Sequence, residues 1–202
     1  MKISKMEAKI PRMVPSQCIF LICDIQQRFR NIIYCMESVI HVGRMMTQTA
    51  QIFNIPLLIT EQNSKAFGTT TEEISAIYPN KDFIKLEKTK FSMITPEAKA
   101  FLDKFPLRKT AVLCGIEAHV CVLQTVIDLK DLGYEVFVVM DGVSSQRPID
   151  RSTAVRRMEK MGVNLTTMES SLFEMMKDMQ AQEFKYVLPI LKEKRKNILP
   201  SL

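Results

Sequence analysis

The chain has 202 residues, of which 47% are hydrophobic and 25% charged, and its mean hydropathy is +0.01. These values are typical of one globular domain with a buried core, and they exclude a disordered chain, a collagen and a disulfide-stapled miniprotein. The net charge of +6 permits a nucleic-acid or membrane partner without requiring one, and no apolar run approaches the ~20 residues of a membrane span, so no membrane partner is expected.

Short apolar runs alternate with helix-length segments along the chain. In order, the pattern predicts strand Cys18–Cys23, helix Ile32–Phe53, strands Ile55–Thr60 and Phe83–Leu86, helix Pro96–Phe105, strand Thr110–Gly115, helix His119–Leu132, strand Tyr134–Met140, helix Ile149–Met161 and strand Val163–Thr166. The four longer strands show little alternation, as buried parallel strands do. The sequence therefore predicts an α/β fold with a parallel, doubly wound sheet.

The chain ends differ in composition from this interior. We expect an N-terminal arm over residues 1–16, one domain over residues 17–182, and a C-terminal helix with a basic tail over residues 183–202. The tail carries most of the excess charge, on Lys185, Lys192, Lys194, Arg195 and Lys196. Such a run is usually a solvated helix face or a frayed end, so a nucleic-acid partner is the less favoured interpretation.

Five cysteines form an odd, irregular set: Cys18, Cys23, Cys35, Cys114 and Cys121. No CxxC pair occurs, so neither a zinc site nor a thioredoxin-type site is indicated, and the pattern favours a reducing compartment. The first seventeen residues lack the apolar stretch of a secretory signal. Their basic residues fit a mitochondrial presequence as well as an ordinary arm, so a cytoplasmic location is expected with a mitochondrial one left open.

Phosphate-binding glycine loops are absent from the sequence. The six glycines form neither GxGxxG nor GxxxxGK[ST], and the first strand is followed by Asp24-Ile25-Gln26-Gln27. In an open α/β sheet, ligands bind beyond the carboxyl ends of the strands. The residues that follow each strand are therefore the candidates for a site.

Three of these strand ends carry reactive side chains. Asp24 follows the first strand, Lys88 the third, and Cys121 lies at the start of the helix after the fourth. Alone, each has an ordinary explanation, as a helix cap, a solvated lysine or a buried thiol. Together they supply a base, a cation and a nucleophile, and the turn Gly115–Cys121 offers backbone N–H groups to an oxyanion. These are the parts that an amide hydrolase needs.

The sequence resembles the isochorismatase-like cysteine hydrolases over roughly residues 17–180, and is most similar to the eukaryotic isochorismatase domain-containing proteins. The segments that carry the resemblance are Leu21–Phe29, Lys88–Ser92, Gly115–Thr125, Gly133–Val136 and Asp141–Ser145. The resemblance implies a three-layer α/β/α sandwich around a six-stranded parallel sheet, with Asp24, Lys88 and Cys121 as a catalytic triad. Members of this family place their lysine three residues before an aromatic-Ser pair, so the resemblance implies Lys88, which precedes Phe91-Ser92, rather than Lys90.

The resemblance also implies details of the turn before the nucleophile, and sequence position suggests candidates for the substrate pocket. A cis peptide bond is expected between Ile116 and Glu117, which would turn the amides of Glu117 and Cys121 toward an oxyanion. His119 in that turn is a candidate for the pocket rim. Phe29 and Gln62, which follow strand ends, are candidates for its walls.

Nicotinamidases of this family hold a metal through an Asp-x-His motif and a further histidine. Here the segment Thr60–Lys65 contains no histidine, and the chain has only His41 and His119. We therefore expect neither a metal nor another cofactor. Isochorismatases proper cleave a vinyl ether without a cysteine, so Cys121 favours acyl chemistry on a small amide or carbamoyl substrate.

Two further expectations concern the function and the assembly. The alternative to an enzyme is a non-catalytic member of the same fold, acting as an interaction or scaffolding subunit. A homo-oligomer, dimer or larger, is expected because Ile32–Phe53 and Met168–Met179 carry more apolar residues than one sheet face needs.

Overall fold

The computed structural model describes residues 10–193. The strands are β1 (Cys18–Cys23), β2 (Leu57–Gln62), β3 (Phe83–Lys88), β4 (Thr110–Ile116), β5 (Glu135–Ser144) and β6 (Asn164–Thr166). The helices are α1 (Met36–Phe53), α2 (Ser64–Phe67), α3 (Glu72–Ser75), α4 (Pro96–Leu102), α5 (Leu123–Asp131), α6 (Pro148–Lys160), α7 (Met168–Met176) and α8 (Phe184–Lys192). A π-helical turn, Ala118–Val122, leads into α5.

All six strands form one parallel sheet in the order β3-β2-β1-β4-β5-β6. The strand order reverses beside β1, because β1 pairs with β2 on one side and β4 on the other. Cys23, the last residue of β1, pairs with Thr60 of β2 and Gly115 of β4. The crevice for a ligand is therefore expected beyond the carboxyl ends of these central strands.

Alternate residues of the central strand β1 face the two helical layers. Phe20 and Ile22 lie in a buried cluster with side chains of α1, α7 and α8. Ile19 and Leu21 lie in a second cluster with side chains of α4, α5 and α6. Both faces of the sheet are thus covered by helices, which confirms the predicted three-layer α/β/α sandwich.

Several element boundaries differ from the prediction. α1 begins at Met36 rather than Ile32, since Cys35 has φ +50° and cannot be a helical residue. β5 continues past Met140 to Ser144, and β3 continues past Leu86 to Lys88. The helix predicted from His119 opens instead with the π-helical turn.

The apolar residues that suggested an oligomer are largely used within the chain. The buried side chains of α7 (Met168, Leu172, Met175 and Met176) pack in the same cluster as those of α1. Helix α8 joins them through Val187 and Ile190. Ile10 and Phe173 remain exposed and line one shallow surface depression. The homo-oligomer therefore stays a prediction, and it rests on the exposed Ile10 and Phe173 rather than on the buried faces of α1 and α7.

Parts of the predicted termini lie outside the described residues, namely most of the basic tail and the first nine residues of the arm. Within residues 10–193, no helix is both long enough and apolar enough to cross a bilayer.

Candidate active site

The three predicted catalytic side chains come together at the carboxyl edge of the sheet. Asp24 follows β1 directly, Lys88 is the last residue of β3, and Cys121 lies in the π-helical turn after β4. All three are buried. A salt bridge joins Asp24 to Lys88, and Cys121 is among the neighbours that raise the pKa of Lys88.

The carboxylate of Asp24 is held through both oxygens. Oδ1 accepts a hydrogen bond from the Thr60 hydroxyl at 2.7 Å, and Oδ2 accepts one from the Lys88 ammonium, also at 2.7 Å. The thiol of Cys23 lies 3.5 Å from Oδ2. These neighbours fix the orientation of a carboxylate that is 1% exposed.

Lys88 is enclosed completely, with a side-chain exposure of 0%. Besides Asp24, its ammonium donates to Gln62 Oε1 at 2.7 Å and to the carbonyls of Phe91 at 3.0 Å and Lys90 at 3.2 Å. Burial lowers the pKa of Lys88, but the neighbouring Cys23, Asp24 and Cys121 more than offset it and leave the pKa above its usual value. The site thus contains a fixed positive charge at neutral pH.

Cys121 is 6% exposed and reaches a cavity of about 610 Å³. Its carbonyl accepts a hydrogen bond from Thr125 at 2.7 Å, which ties the turn to α5. The side chain of Cys23 lies next to that of Cys121. Burial chiefly, and then the neighbouring Cys121, raise the pKa of Cys23 well above its usual value, so Cys23 stays a thiol that can donate to Asp24 Oδ2.

Gly115 allows the end of β1 to lie close to β4, just before the π-helical turn that contains Cys121. Its φ of +148° is unfavourable for other residues, and a Cβ there would clash with the backbone and Cβ of Cys23. A glycine is therefore required for Cys23 to lie beside the turn.

The expectation of a cis peptide bond between Ile116 and Glu117 is wrong, because this bond is trans. The chain changes direction instead through Glu117, whose φ of +54° and ψ of +64° are left-handed. The carbonyl of Glu117 then accepts hydrogen bonds from the amides of Val120 and Val122, which closes the π-helical turn.

Left-handed backbone recurs along this edge of the sheet. Asp24 after β1 has φ +55°, Asn63 after β2 has φ +36°, and Glu117 after β4 has φ +54°. Such conformations are uncommon outside glycine and cluster at functional sites.

The cavity contains the three side chains predicted to bind substrate, Phe29, Gln62 and His119. It is lined by these together with Phe67, Phe91, Glu117, Val120, Cys121, Gln146, Arg147 and Asp150. The rings of Phe29 and Phe67 stack with their centroids 4.8 Å apart. The sequence reasoning missed Gln146, Arg147 and Asp150 as cavity residues, although the rule of reading strand ends would have found them had β5 been extended to Ser144.

The polar groups of the cavity are paired with one another. Glu117 Oε1 accepts from the Gln146 amide at 3.0 Å, while His119 Nδ1 lies 3.3 Å from Glu117 Oε2 and 3.1 Å from the Ser145 hydroxyl. Arg147 pairs with Asp150 at 2.8 Å. Within residues 10–193, no group of three or more His, Cys, Asp or Glu is arranged to hold a metal ion.

Residues 18–170 match the family model of the isochorismatase domain, and the chain belongs to this family. One relative is the secreted isochorismatase effector Isc1 of Phytophthora sojae, which is 38% identical over 95% of this chain and 92% of its own length. Another is isochorismatase domain-containing protein 2 of Xenopus laevis, which is 37% identical over 92% of this chain and 88% of its own length. Among solved structures, the MAR1 ribonuclease of Caenorhabditis elegans superposes with a TM-score of 0.87 and 33% identity, over 95% of this chain and all of its own.

Proposed function

We propose that the chain is a cysteine hydrolase that cleaves the C–N bond of a small amide or carbamoyl compound. The observation that carries the proposal is the convergence of Asp24, Lys88 and Cys121 at one edge of the sheet, with the thiol opening into a cavity. The cavity volume suits a small molecule rather than a folded partner.

In the proposed mechanism, Asp24 takes the proton of the Cys121 thiol, and the thiolate attacks the carbonyl carbon. The fixed charge of Lys88 favours the thiolate and holds Asp24 in place through the 2.7 Å hydrogen bond. The backbone amides of Glu117 and Cys121 are proposed to stabilise the oxyanion of the tetrahedral intermediate. Asp24 returns the proton to the leaving amine, and water then hydrolyses the thioester.

The names of the relatives raise two other reactions. Vinyl-ether cleavage, which the word isochorismatase denotes, needs no thiol and would leave Cys121 without a role. RNA cleavage, suggested by the name of the Caenorhabditis elegans protein, requires a cavity that accepts phosphate. Arg147, which lines this cavity, is instead paired with Asp150. The third alternative is a non-catalytic scaffolding subunit.

The test compares the wild type with Cys121→Ala and the matched control Cys35→Ala, which removes a half-buried thiol outside the cavity. Ammonia release from a panel of primary amides and carbamoyl compounds should occur in the wild type and the control and be lost in Cys121→Ala. Turnover by Cys121→Ala at the wild-type rate would overturn the nucleophile assignment.

A second readout needs no substrate. Iodoacetamide at neutral pH, followed by peptide mass spectrometry, should alkylate Cys121 faster than each of the other four cysteines. An unreactive Cys121 would favour the scaffolding alternative.

A further inference from the structure

The cavity beside Cys121 contains a carboxylate, Glu117, whose neighbouring basic group is a histidine rather than a lysine or an arginine. The side chain of Glu117 is 14% exposed. Oε1 accepts a hydrogen bond from the neutral amide of Gln146. The buried Oε2 accepts no hydrogen bond, although His119 Nδ1 lies 3.3 Å from it. Within residues 10–193, no lysine or arginine forms an ion pair with it.

The other charges at the cavity are compensated. Arg147 pairs with Asp150, so these two lining residues contribute little net charge. Lys88, behind the thiol, pairs with Asp24. Arg28 and Lys65 lie in neighbouring segments but are exposed, where solvent and salt screen them. Glu117 therefore sets the sign of the local potential.

The apolar wall of the cavity favours the same kind of ligand. Phe29, Phe67 and Phe91 line it, and the first two rings are stacked. The face of an aromatic ring attracts cations, and most strongly where water is excluded. The wall and the carboxylate thus point to one ligand chemistry.

The backbone gives a separate reason to assign Glu117 a role through its side chain. Glu117 is held in a left-handed conformation that glycine or asparagine would adopt at lower cost. A side chain that persists at a strained position next to a reactive thiol is a candidate for function.

We infer that the substrate is a small cationic amide or carbamoyl compound, whose ammonium or guanidinium group is bound by Glu117 and the phenylalanine wall while its carbonyl lies at Cys121. The inference rests on the proposed function and specifies its substrate class. It makes Glu117 a specificity-determining residue, and it disfavours dicarboxylates and polyphosphates such as RNA.

The test uses three methanethiosulfonates of different charge: the trimethylammonioethyl, methyl and sulfonatoethyl reagents. In each case the Cys121 thiolate attacks the sulfenyl sulfur, a disulfide forms and methanesulfinate leaves. Rates at pH 8 are read from the Cys121 peptide by mass spectrometry and divided by the rate with free cysteine. The wild type should favour the cation over the anion by about tenfold.

The variants separate the effect of Glu117 from the overall field of the protein. In Glu117→Gln the cation-to-anion ratio should fall toward one. The control Glu159→Gln, which removes an exposed carboxylate on α6, should keep the wild-type ratio. A wild-type ratio at or below one overturns the inference without any variant, and so does an unchanged ratio in Glu117→Gln.

A binding experiment distinguishes failure of this inference from failure of the proposed function. Ligand-observed NMR on Cys121→Ala should detect saturable binding of benzyltrimethylammonium but not of benzenesulfonate. Cation binding together with an unreactive Cys121 would retain the inference and reject the nucleophile. A reactive Cys121 that shows no charge preference, in a protein that binds no cation, would reject the inference and retain Cys121 as the nucleophile.

Discussion

Replacing Lys88 by methionine tests the buried ion pair at the centre of the site. The change keeps most of the side-chain volume but removes four hydrogen bonds. Asp24, which is 1% exposed, would keep its hydrogen bonds from the Thr60 hydroxyl and the Cys23 thiol but lose its ion pair. Gln62 Oε1 would also lose the ammonium. The variant therefore contains a buried carboxylate without a compensating charge.

Breaking a buried pair in this way costs about 3–5 kcal/mol, a large part of a typical unfolding free energy of about 5–15 kcal/mol. Asp24→Asn removes the charge that Lys88→Met leaves uncompensated. The double variant should therefore be less destabilised than the sum of the two single variants, by about 1–3 kcal/mol.

Urea unfolding followed by circular dichroism at pH 7 gives the unfolding free energy of the wild type, the two single variants and the double variant. Lys99→Met is the control, because Lys99 of α4 forms a solvent-exposed pair with Asp103, just past the end of that helix. Its loss should cost less than about 1 kcal/mol. If Lys88→Met is as mild as this control, or if the single effects are additive, the proposed coupling between Lys88 and Asp24 does not exist.

Three other predictions follow from the fold. Gly115→Ala should lower the unfolding free energy by at least about 2 kcal/mol more than Gly162→Ala, as measured by thermal or urea unfolding. Both glycines have positive φ, but only a side chain at position 115 would clash with Cys23. Equal losses would argue against the close approach of Gly115 and Cys23. Burial chiefly raises the pKa of the Cys18 thiol to about 12, so the stabilisation is present below pH 9 and lost as the pH rises toward 12. Urea unfolding from pH 8 to 10.5 should show the wild type losing stability faster than Cys18→Ala, by up to about 1.4 kcal/mol per pH unit above 9, and parallel curves would contradict this. Light scattering at micromolar concentration should give the mass of a dimer or larger oligomer, and Phe173→Lys should shift it toward the monomer; a monomeric wild type would refute the assembly.

The sheet was predictable where burial leaves a clear apolar run. β1 is predicted to the residue, because Cys18–Cys23 is apolar throughout and buried on both faces. The predicted strand Tyr134–Met140 stops four residues before the end of β5, and Asp141 and Gly142, the next two residues, are of types that are uncommon in strands. The extension of β5 depends on packing that a single strand does not reveal: Gly142 lies so close to Val42 of α1 that a side chain there would clash.

The residues of the site that directly follow or end a strand could be predicted from the sequence. Reading the residue after each strand found Asp24 and Lys88, because parallel strands bring their carboxyl ends to one edge. The hydrogen bond from Lys88 to Gln62 could not be predicted, since it depends on the register between β2 and β3 and on a side-chain rotamer. The position of Cys23 beside Cys121 likewise follows from the three-dimensional pairing of β1 with β4.

The left-handed backbone at position 24 restricts which mutations the protein can accept there. Aspartate is the residue that combines a negative charge with a low cost in that conformation. Glutamate would keep the charge but lose both the conformational tolerance and the short reach to Thr60 and Lys88. Asparagine would keep the conformation and lose the charge. Each of these replacements therefore gives up one of the two properties, so even the amino acids most similar to aspartate are unfavourable at position 24. Asn63, just after β2, has the same left-handed backbone, and glycine or aspartate would adopt that conformation at a similarly low cost.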